Sequence, residues 1–473
     1  MKLATRAVAE VLGLAAAALA AVLVFRTVGP SVAGELAIAS TIFYLATVIV
    51  NGGLPTAAAQ EVATRPESLR GVVLAAGGLR IAYAAAFTVA AESVLLVLPL
   101  GDSVKVLLML TVAGVNLLPL KHDWLLVARG SVASVAVARI VSASVTLVIA
   151  ALVVRDPGDT GALVLYLLSG HAATAIVTSA MAVVTEHGRI WGRGHIAGSP
   201  SWSLARKGVH YLKADLSIFV YNNSDRLFLF ALAGPAVVGL YEAAYKLILP
   251  FSAISTVVTD STYLMLARAV GTPALRDVYR RYVRLMFVGT VPVGFVTAAF
   301  GPEIVAVVFG DEFAAAGQLF AVLGWVVTVG YLSGAIAIPF SAWDRPKAYG
   351  DAITAGSVAN LLLDVLLIPA FLGFGAALAT ILAKFVVVLA GTRAFRSVCD
   401  YPVFREFLTF AVASAAAVGV AFATVTVLRL PGIVGVPLFA VIYGCGISLW
   451  FLRARRTAGP HHDQAVLKRG SSL

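Results

Sequence analysis

The sequence predicts an all-α, polytopic membrane protein of about 14 transmembrane helices, and three observations carry that prediction. Hydrophobic residues make up 60% of the 473-residue chain and charged residues only 12%. Mean hydropathy is +0.94, more apolar surface than a water-soluble core can bury. Apolar runs of about 20 residues, the length that crosses a bilayer at helical rise, recur along the whole chain. Lysines and arginines, finally, gather in alternate connections, as topology in a bilayer requires.

The runs lie near 7–25, 31–52, 75–98, 104–127, 131–154, 161–184, 209–232, 235–258, 283–300, 315–341, 349–370, 373–392, 407–428 and 432–452. The first follows Lys2 and Arg6 like a signal peptide, but the spans behind it argue for a retained helix. The second opens on Gly29-Pro30, with proline in a first turn that needs no amide donor. The fourth ends on Pro119-Leu120-Lys121-His122-Asp123-Trp124. The seventh and eighth keep their length despite the densest set of charges. Between spans six and seven runs a basic connector with His187-Gly188-Arg189 and Gly192-Arg193-Gly194. The expected organisation is an N-terminal bundle over 1–185, a cytoplasmic linker over 186–208 and a second bundle over 209–396. Two additional C-terminal spans over 397–456 and a disordered tail over 457–473 follow.

With the N-terminus in the cytoplasm, 24 of the 35 Lys and Arg fall on the cytoplasmic side and four (Arg26, Lys105, Arg155, Arg429) outside. Seven stay within spans: Arg80, Lys121, Arg139, Lys213, Arg226, Lys246 and Lys384. Both termini are therefore expected in the cytoplasm. The net charge of +11 is topological and not a nucleic-acid surface, which would need a clustered basic domain. Arg276, Arg280 and Arg284 repeat at i, i+4, i+8. They form a cationic helix stripe, read either as an anionic-headgroup contact or as a solvated helix end. Two cysteines, Cys399 and Cys445, exclude a disulfide framework and a Cys-rich metal site. His461-His462-Asp463 resembles a metal motif only in isolation, so no metal or cofactor is expected.

An internal repeat sets the architecture. Gly29-Pro30-Ser31-Val32-Ala33-Gly34 opens span two, and Gly234-Pro235-Ala236-Val237-Val238-Gly239 opens span eight, 205 residues and six spans later. At the same offset Glu10 meets Asp215. An even number of spans keeps both copies in one orientation, which predicts two pseudo-symmetric bundles related by an axis along the membrane normal. Gly29, Pro30, Gly34, Gly234, Pro235 and Gly239 are the hinge and packing candidates.

A charge inside a span costs about 2.5 kcal/mol or more and marks a pathway or a cavity by default. Span seven holds Lys213, Asp215, Asn222, Asn223, Asp225 and Arg226, and span eight holds Glu242 and Lys246. Arg226 and Glu242 each stand eight residues from Gly234, at matching depth across the hairpin. Glu242 and Lys246 share a face at i, i+4. The cluster reads as a polar wall that binds an anion and titrates an ion; a buried network that only fixes helix packing is the alternative. Arg80, Lys121 and Arg139 lie toward the cytoplasmic half, where snorkelling competes with an entrance role. Asp364, within Asn360-Leu-Leu-Leu-Asp364, is not explained by snorkelling, and Asp123 adds a further carboxylate. His171 reads as a hydrogen-bonded core histidine. The chain lacks GxxxxGK[ST], HExxH and GxSxG, so neither ATP hydrolysis nor these enzyme chemistries is expected. Short outer loops count against a membrane glycan polymerase or ligase.

The stretch from Asn223 to Lys246, with Asp225-Arg226, Gly234 and Gly239-Leu240-Tyr241, resembles the polysaccharide-transporter family of lipid-linked oligosaccharide flippases. Phe309-Gly310-Asp311-Glu312-Phe313 is similar to its Gly-acid-Phe turn. Asn360 through Pro369 with Gly373-Phe374-Gly375-Ala376-Ala377 is similar to its Asn-Pro-Gly-x-Gly stretch, and Asp123-Trp124 to the end of its fourth span. The resemblance implies the superfamily of multidrug extruders and lipid II and oligosaccharide-lipid flippases. It implies a central V-shaped cavity, alternating access and a non-enzymatic role. The implied cargo is a polyprenyl-pyrophosphate-linked glycan, with membrane lipids, a polysaccharide polymerase and glycosyltransferases as partners. On this reading Arg226, Lys246 and Lys213 hold the pyrophosphate, and Arg80, Lys121 and Arg139 line the entrance. Glu10, Asp215, Asp225, Glu242 and Asp123 are the ion-coupling candidates. Arg226→Ala is expected to abolish export and leave the fold intact. A cation-coupled drug exporter or a lipid II flippase is the alternative.

Overall fold

Stretches that are apolar on every side can fold only as helices in a bilayer, because each amide must be satisfied within its own segment. The computed structural model describes residues 2–190 and 201–457, and among them it contains helices and no strand. In chain order they are α1 (Lys2–Asn51), α2 (Leu54–Thr64), α3 (Leu69–Val97), α4 (Asp102–Ala113), α5 (Asp123–Ala128), α6 (Val132–Leu152), α7 (Thr160–Ile190) and α8 (Ser201–Ala233). Then come α9 (Pro235–Ala269), α10 (Leu275–Val288), α11 (Val291–Phe309), α12 (Ala314–Ala337), α13 (Pro339–Ala342), α14 (Pro346–Arg396), α15 (Val403–Val427) and α16 (Gly435–Thr457). Part of the connector, at 191–200, and the tail with His461-His462-Asp463 lie outside the described residues.

Ten described stretches are long and apolar enough to cross a membrane. Two of them bend back on themselves. In α1 the bend is at Gly29 (φ 73, ψ 175) and in α14 at Leu372 (φ 50, ψ −126). Helices α8 (33 residues) and α9 (35 residues) are also long enough to cross, and counting them with the two doubled stretches gives the fourteen spans. Gly234 (φ 79, ψ 178) and Gly310 (φ 89, ψ 177) make equivalent bends before α9 and after α11. That backbone region is essentially restricted to glycine. Leu372 departs from the rule and adopts positive φ just before Gly373.

The repeat is realised as a reciprocal contact. A Cβ on Gly34 would sit 1.8 Å from the Pro235 carbonyl oxygen, and one on Gly239 would sit 1.8 Å from the Pro30 carbonyl oxygen. The two hairpins therefore meet backbone to backbone about a pseudo-two-fold axis, which brings the bundle of α1–α7 against that of α8–α14. Beside this contact Arg26 donates to the carbonyls of Val307 (through a short contact) and Val308 (2.6 Å), and Phe25 packs on Phe309 and Phe313. At the far end of the seam, a Cβ on Gly53 would meet the Gly208 carbonyl oxygen at 2.2 Å. There Lys207 pairs with Glu61 at 2.7 Å and Tyr211 donates to Gln60 at 2.9 Å. The conformation described thus has its seam drawn together at both ends.

Hydropathy ends span two near 52, whereas α2 continues it past the Gly52-Gly53 bend. Helix α10 is a separate amphipathic helix that carries Arg276, Arg280 and Arg284 at the expected spacing, and two of these arginines find acidic partners. Arg284 turns inward to Glu406 (2.5 Å) and lies over the Trp450 ring, while Arg280 pairs with Asp277. This tie anchors α15 and α16 to the second bundle.

Candidate functional site

Proline shapes the first wall of the site. Pro119 has no amide hydrogen and cannot continue an α-helix, so span four decays into a 3-10 turn over Gly114–Leu120 and breaks at Lys121-His122. The break strands main-chain carbonyls inside the bundle. Arg80, only 3% exposed, answers them from α3: its guanidinium donates to the Leu118 carbonyl through a short contact, to Pro119 at 3.4 Å and to Lys121 at 2.9 Å. His122 is tied to the Leu120 carbonyl and Ser179, and its amide donates to Thr178. The break leaves the Lys121 side chain beside α7, its Nζ 3.2 Å from His171 Nδ1.

The second wall comes from the α8–α9 hairpin. Arg226 and Glu242, placed at equal depth by their spacing from Gly234, meet at 2.8 Å (Nε to Oε2). Glu242 Oε1 holds Lys246 Nζ at 3.0 Å. Arg226 also donates to the Asn222 carbonyl (2.8 Å) and to Asn223 Oδ1 (3.3 Å), and lies over the Tyr245 ring at 4.5 Å. Tyr241 donates to Asp225 Oδ2 at 2.6 Å. Arg226 is 7% exposed and Glu242 5%, whereas the Lys246 side chain keeps 33% exposure. The triad thus runs from a buried arginine through a shared carboxylate to an accessible lysine.

Between these walls lies a cavity of about 350 Å³. Lys121, His171, Glu242 and Lys246 supply its charged and titratable lining, with Ser40, Ser142, Thr146, Tyr166 and Thr174 around them. Of the six expected substrate-binding residues, Lys246 from the pyrophosphate set and Lys121 from the entrance set line the cavity. Arg226 stands behind Glu242 with its donors engaged, Arg80 caps the span-four break, and Lys213 and Arg139 lie on exposed surface. Removing Arg226 would take the buried guanidinium from Glu242 and Asp225 and leave Glu242 only the partly exposed Lys246, so Arg226→Ala is expected to cost stability as well as export. Among the carboxylates, Asp225 and Glu242 are in the network, Asp215 is half-buried on α8, Asp123 is exposed, and the side chain of Glu10 lies outside the described residues.

A second polar node adjoins the first. Asp364, fully buried, accepts from Ser224 and from Asn360, each at 2.8 Å through Oδ2. Asp364 Oδ1 and Asn360 Oδ1 are buried without a hydrogen-bond partner. The i, i+4 pair of polar residues on an otherwise apolar span was the available signal; its proximity to span seven was not readable. On the opposite side of α9 a cavity of about 400 Å³ holds Lys384, Tyr331 and Tyr245.

Two helical bundles joined by reciprocal hairpins, with a charged cavity at their seam, define a multi-pass membrane protein. The fold is similar to the lipid II flippase MurJ in its inward closed conformation (TM-score 0.74, 13% identity, 95% of this chain and 99% of that chain). It is also similar to a multidrug resistance MATE family transporter of the MOP superfamily, inward-facing (TM-score 0.59, 14% identity, 81% and 95%) and outward-facing (TM-score 0.54, 14% identity, 84% and 95%). No curated protein matches the chain in sequence. The profile of the family described as "Polysaccharide biosynthesis protein" matches residues 4–268, and the chain belongs to that family. Its fold is the one those transporters share.

Proposed function

We propose that this protein moves a polyprenyl-pyrophosphate-linked oligosaccharide, a precursor of cell-surface polysaccharide, across the bacterial inner membrane by alternating access. Both termini face the cytoplasm on this reading, and the Gly29 and Gly234 bends face outward. The observation that carries it is the pairing of Lys121 and Lys246 on one cavity. A pyrophosphate stripped of water needs charge-assisted donors, and these two ammonium groups come from opposite bundles, so the headgroup can bridge the seam. Arg226 acts through Glu242, whose carboxylate fixes Lys246. The cavity suits a pyrophosphate and its first sugar, and the rest of the glycan requires the bundles to part.

Coupling falls to Asp364. Two buried acceptors without partners cost free energy unless a proton or small cation joins them, and they sit against Ser224 on the helix that carries Arg226. The membrane potential adds roughly 2.3 kcal/mol per charge per 100 mV in favour of moving an anion outward. The polymerase and glycosyltransferases that make and consume the glycan are the expected partners.

The test is the sidedness of lipid-linked glycan in a deletion strain. Build-up on the cytoplasmic face should be relieved by wild type and not by Lys121→Ala/Lys246→Ala present at equal level. Relief by the double variant would overturn the assignment. A lipid II flippase is the second reading, favoured by the fold-level likeness across the full length. Arrest of cell-wall synthesis without glycan build-up would select it.

A further inference from the structure

Lys121 and His171 present a puzzle of protons. Their nitrogens stand 3.2 Å apart, which is a hydrogen bond only if one gives a proton and the other gives a lone pair. With Lys121 charged, His171 Nδ1 must accept and the imidazole is neutral, its ring packed on Phe43 at 4.5 Å between centroids. Every charged or titratable group on the cavity lining can be named. The 3-10 break supplies Lys121, α9 supplies Glu242 and Lys246, α7 itself supplies Tyr166, and α1 and α6 supply only hydroxyls and apolar groups. Behind them Arg226 and Asp225 balance one another, and Arg80 touches Lys121 only through its carbonyl. The lining therefore carries one net positive charge.

A pyrophosphate diester carries two negative charges, one more than this lining balances. We infer that His171 is the proton-accepting member of the cavity: headgroup binding draws Lys121 Nζ off Nδ1, and the freed lone pair takes a proton from water. The inference rests on the pyrophosphate reading above. No bond other than N–H forms, and the loaded cavity is electroneutral, which lowers the cost of carrying the headgroup through the bilayer interior. By linkage, a group that gains a proton on binding makes binding tighter as pH falls. Affinity should drop about tenfold per unit as pH rises between the imidazole's free and loaded titration points, because one proton is coupled.

The test is calorimetric titration of the purified full-length protein with a soluble dialkyl pyrophosphate diester, which does not itself titrate near neutrality. Runs in buffers of different protonation enthalpy count the protons. Wild type should take up about one proton per ligand bound. His171→Gln, which keeps an acceptor for Lys121 but cannot be protonated, should bind with no uptake and a flat pH profile. Uptake that persists in His171→Gln, or wild-type binding without uptake, overturns the inference. Should the variant fail to fold, the wild-type count and pH slope decide alone. A separate outcome strikes the parent reading: a diester that does not bind, or binds equally well to Lys121→Ala/Lys246→Ala, removes the pyrophosphate site and this inference with it.

Discussion

The hairpin within α1 and the hairpin of α8 and α9 share a backbone and differ in almost everything chemical. Both turn at a glycine of the same geometry, both place proline next, and each presses a glycine onto the other's proline carbonyl. Carried back by 205 residues, however, Asp225 and Arg226 become Ala20 and Ala21, Tyr241 and Glu242 become Leu36 and Ala37, and Lys246 becomes Thr41. These positions in the first copy are buried and small or apolar, and Leu36 and Ala37 line the cavity that Glu242 and Lys246 charge. The scaffold is symmetric and the chemistry is not: one copy makes room, the other fills it with ions.

The largest effect that would break this comparison is loss of the asymmetric charge network. Arg226→Ala should lower stability by about 3–5 kcal/mol, the cost of a buried charge left without its partner. Adding Glu242→Leu should restore part of the loss, because the buried carboxylate left with only the partly exposed Lys246 goes with it. Thermal unfolding in detergent reads both. Next come the symmetric positions. Gly34→Ala and Gly239→Ala should each cost about 1–3 kcal/mol, since each places a methyl against backbone. Near-equal losses in the two variants would support the pseudo-two-fold contact, and a loss confined to one would break it.

Lys246→Ala separates binding from folding. The side chain is partly exposed, so stability should change by less than about 1 kcal/mol, while headgroup affinity should fall roughly tenfold or more with a charge-assisted donor removed. Titration with a pyrophosphate diester alongside a melting curve reads both. The smallest effect concerns Leu372, which bends α14 at positive φ without being glycine. Leu372→Gly should raise stability by up to about 1 kcal/mol by relieving positive φ, whereas Gly234→Leu should do the reverse.

Much of the fold was legible in the sequence, for a physical reason. Hydropathy over about 20 residues is a one-dimensional property, so the fourteen spans could be read, and the Gly-Pro repeat marked which hairpins are equivalent. The pairing of Arg226 with Glu242 followed from counting residues to Gly234. Arg80 shows where such reading ends. Its charge within a span looked like a ligand for cargo, and only the packing of α3 against the broken fourth span shows the guanidinium spent on carbonyls that Pro119 set loose. Asp364 is similar, because its partner Ser224 lies 140 residues away. Arg284 is a third case: helical spacing puts it on a face with Arg276 and Arg280, while its partners Glu406 and Trp450 come from a later part of the chain and could not be read.

In the proposed mechanism cargo crosses on lysines drawn from opposite bundles. Proteoliposomes loaded with a polyprenyl-pyrophosphate oligosaccharide, whose outward-exposed fraction is followed by periodate oxidation, test it most directly. Wild type should equalise the two leaflets, and Lys121→Ala/Lys246→Ala, folded by its melting curve, should not. Translocation by the double variant at the wild-type rate, or none by wild type, would contradict the account.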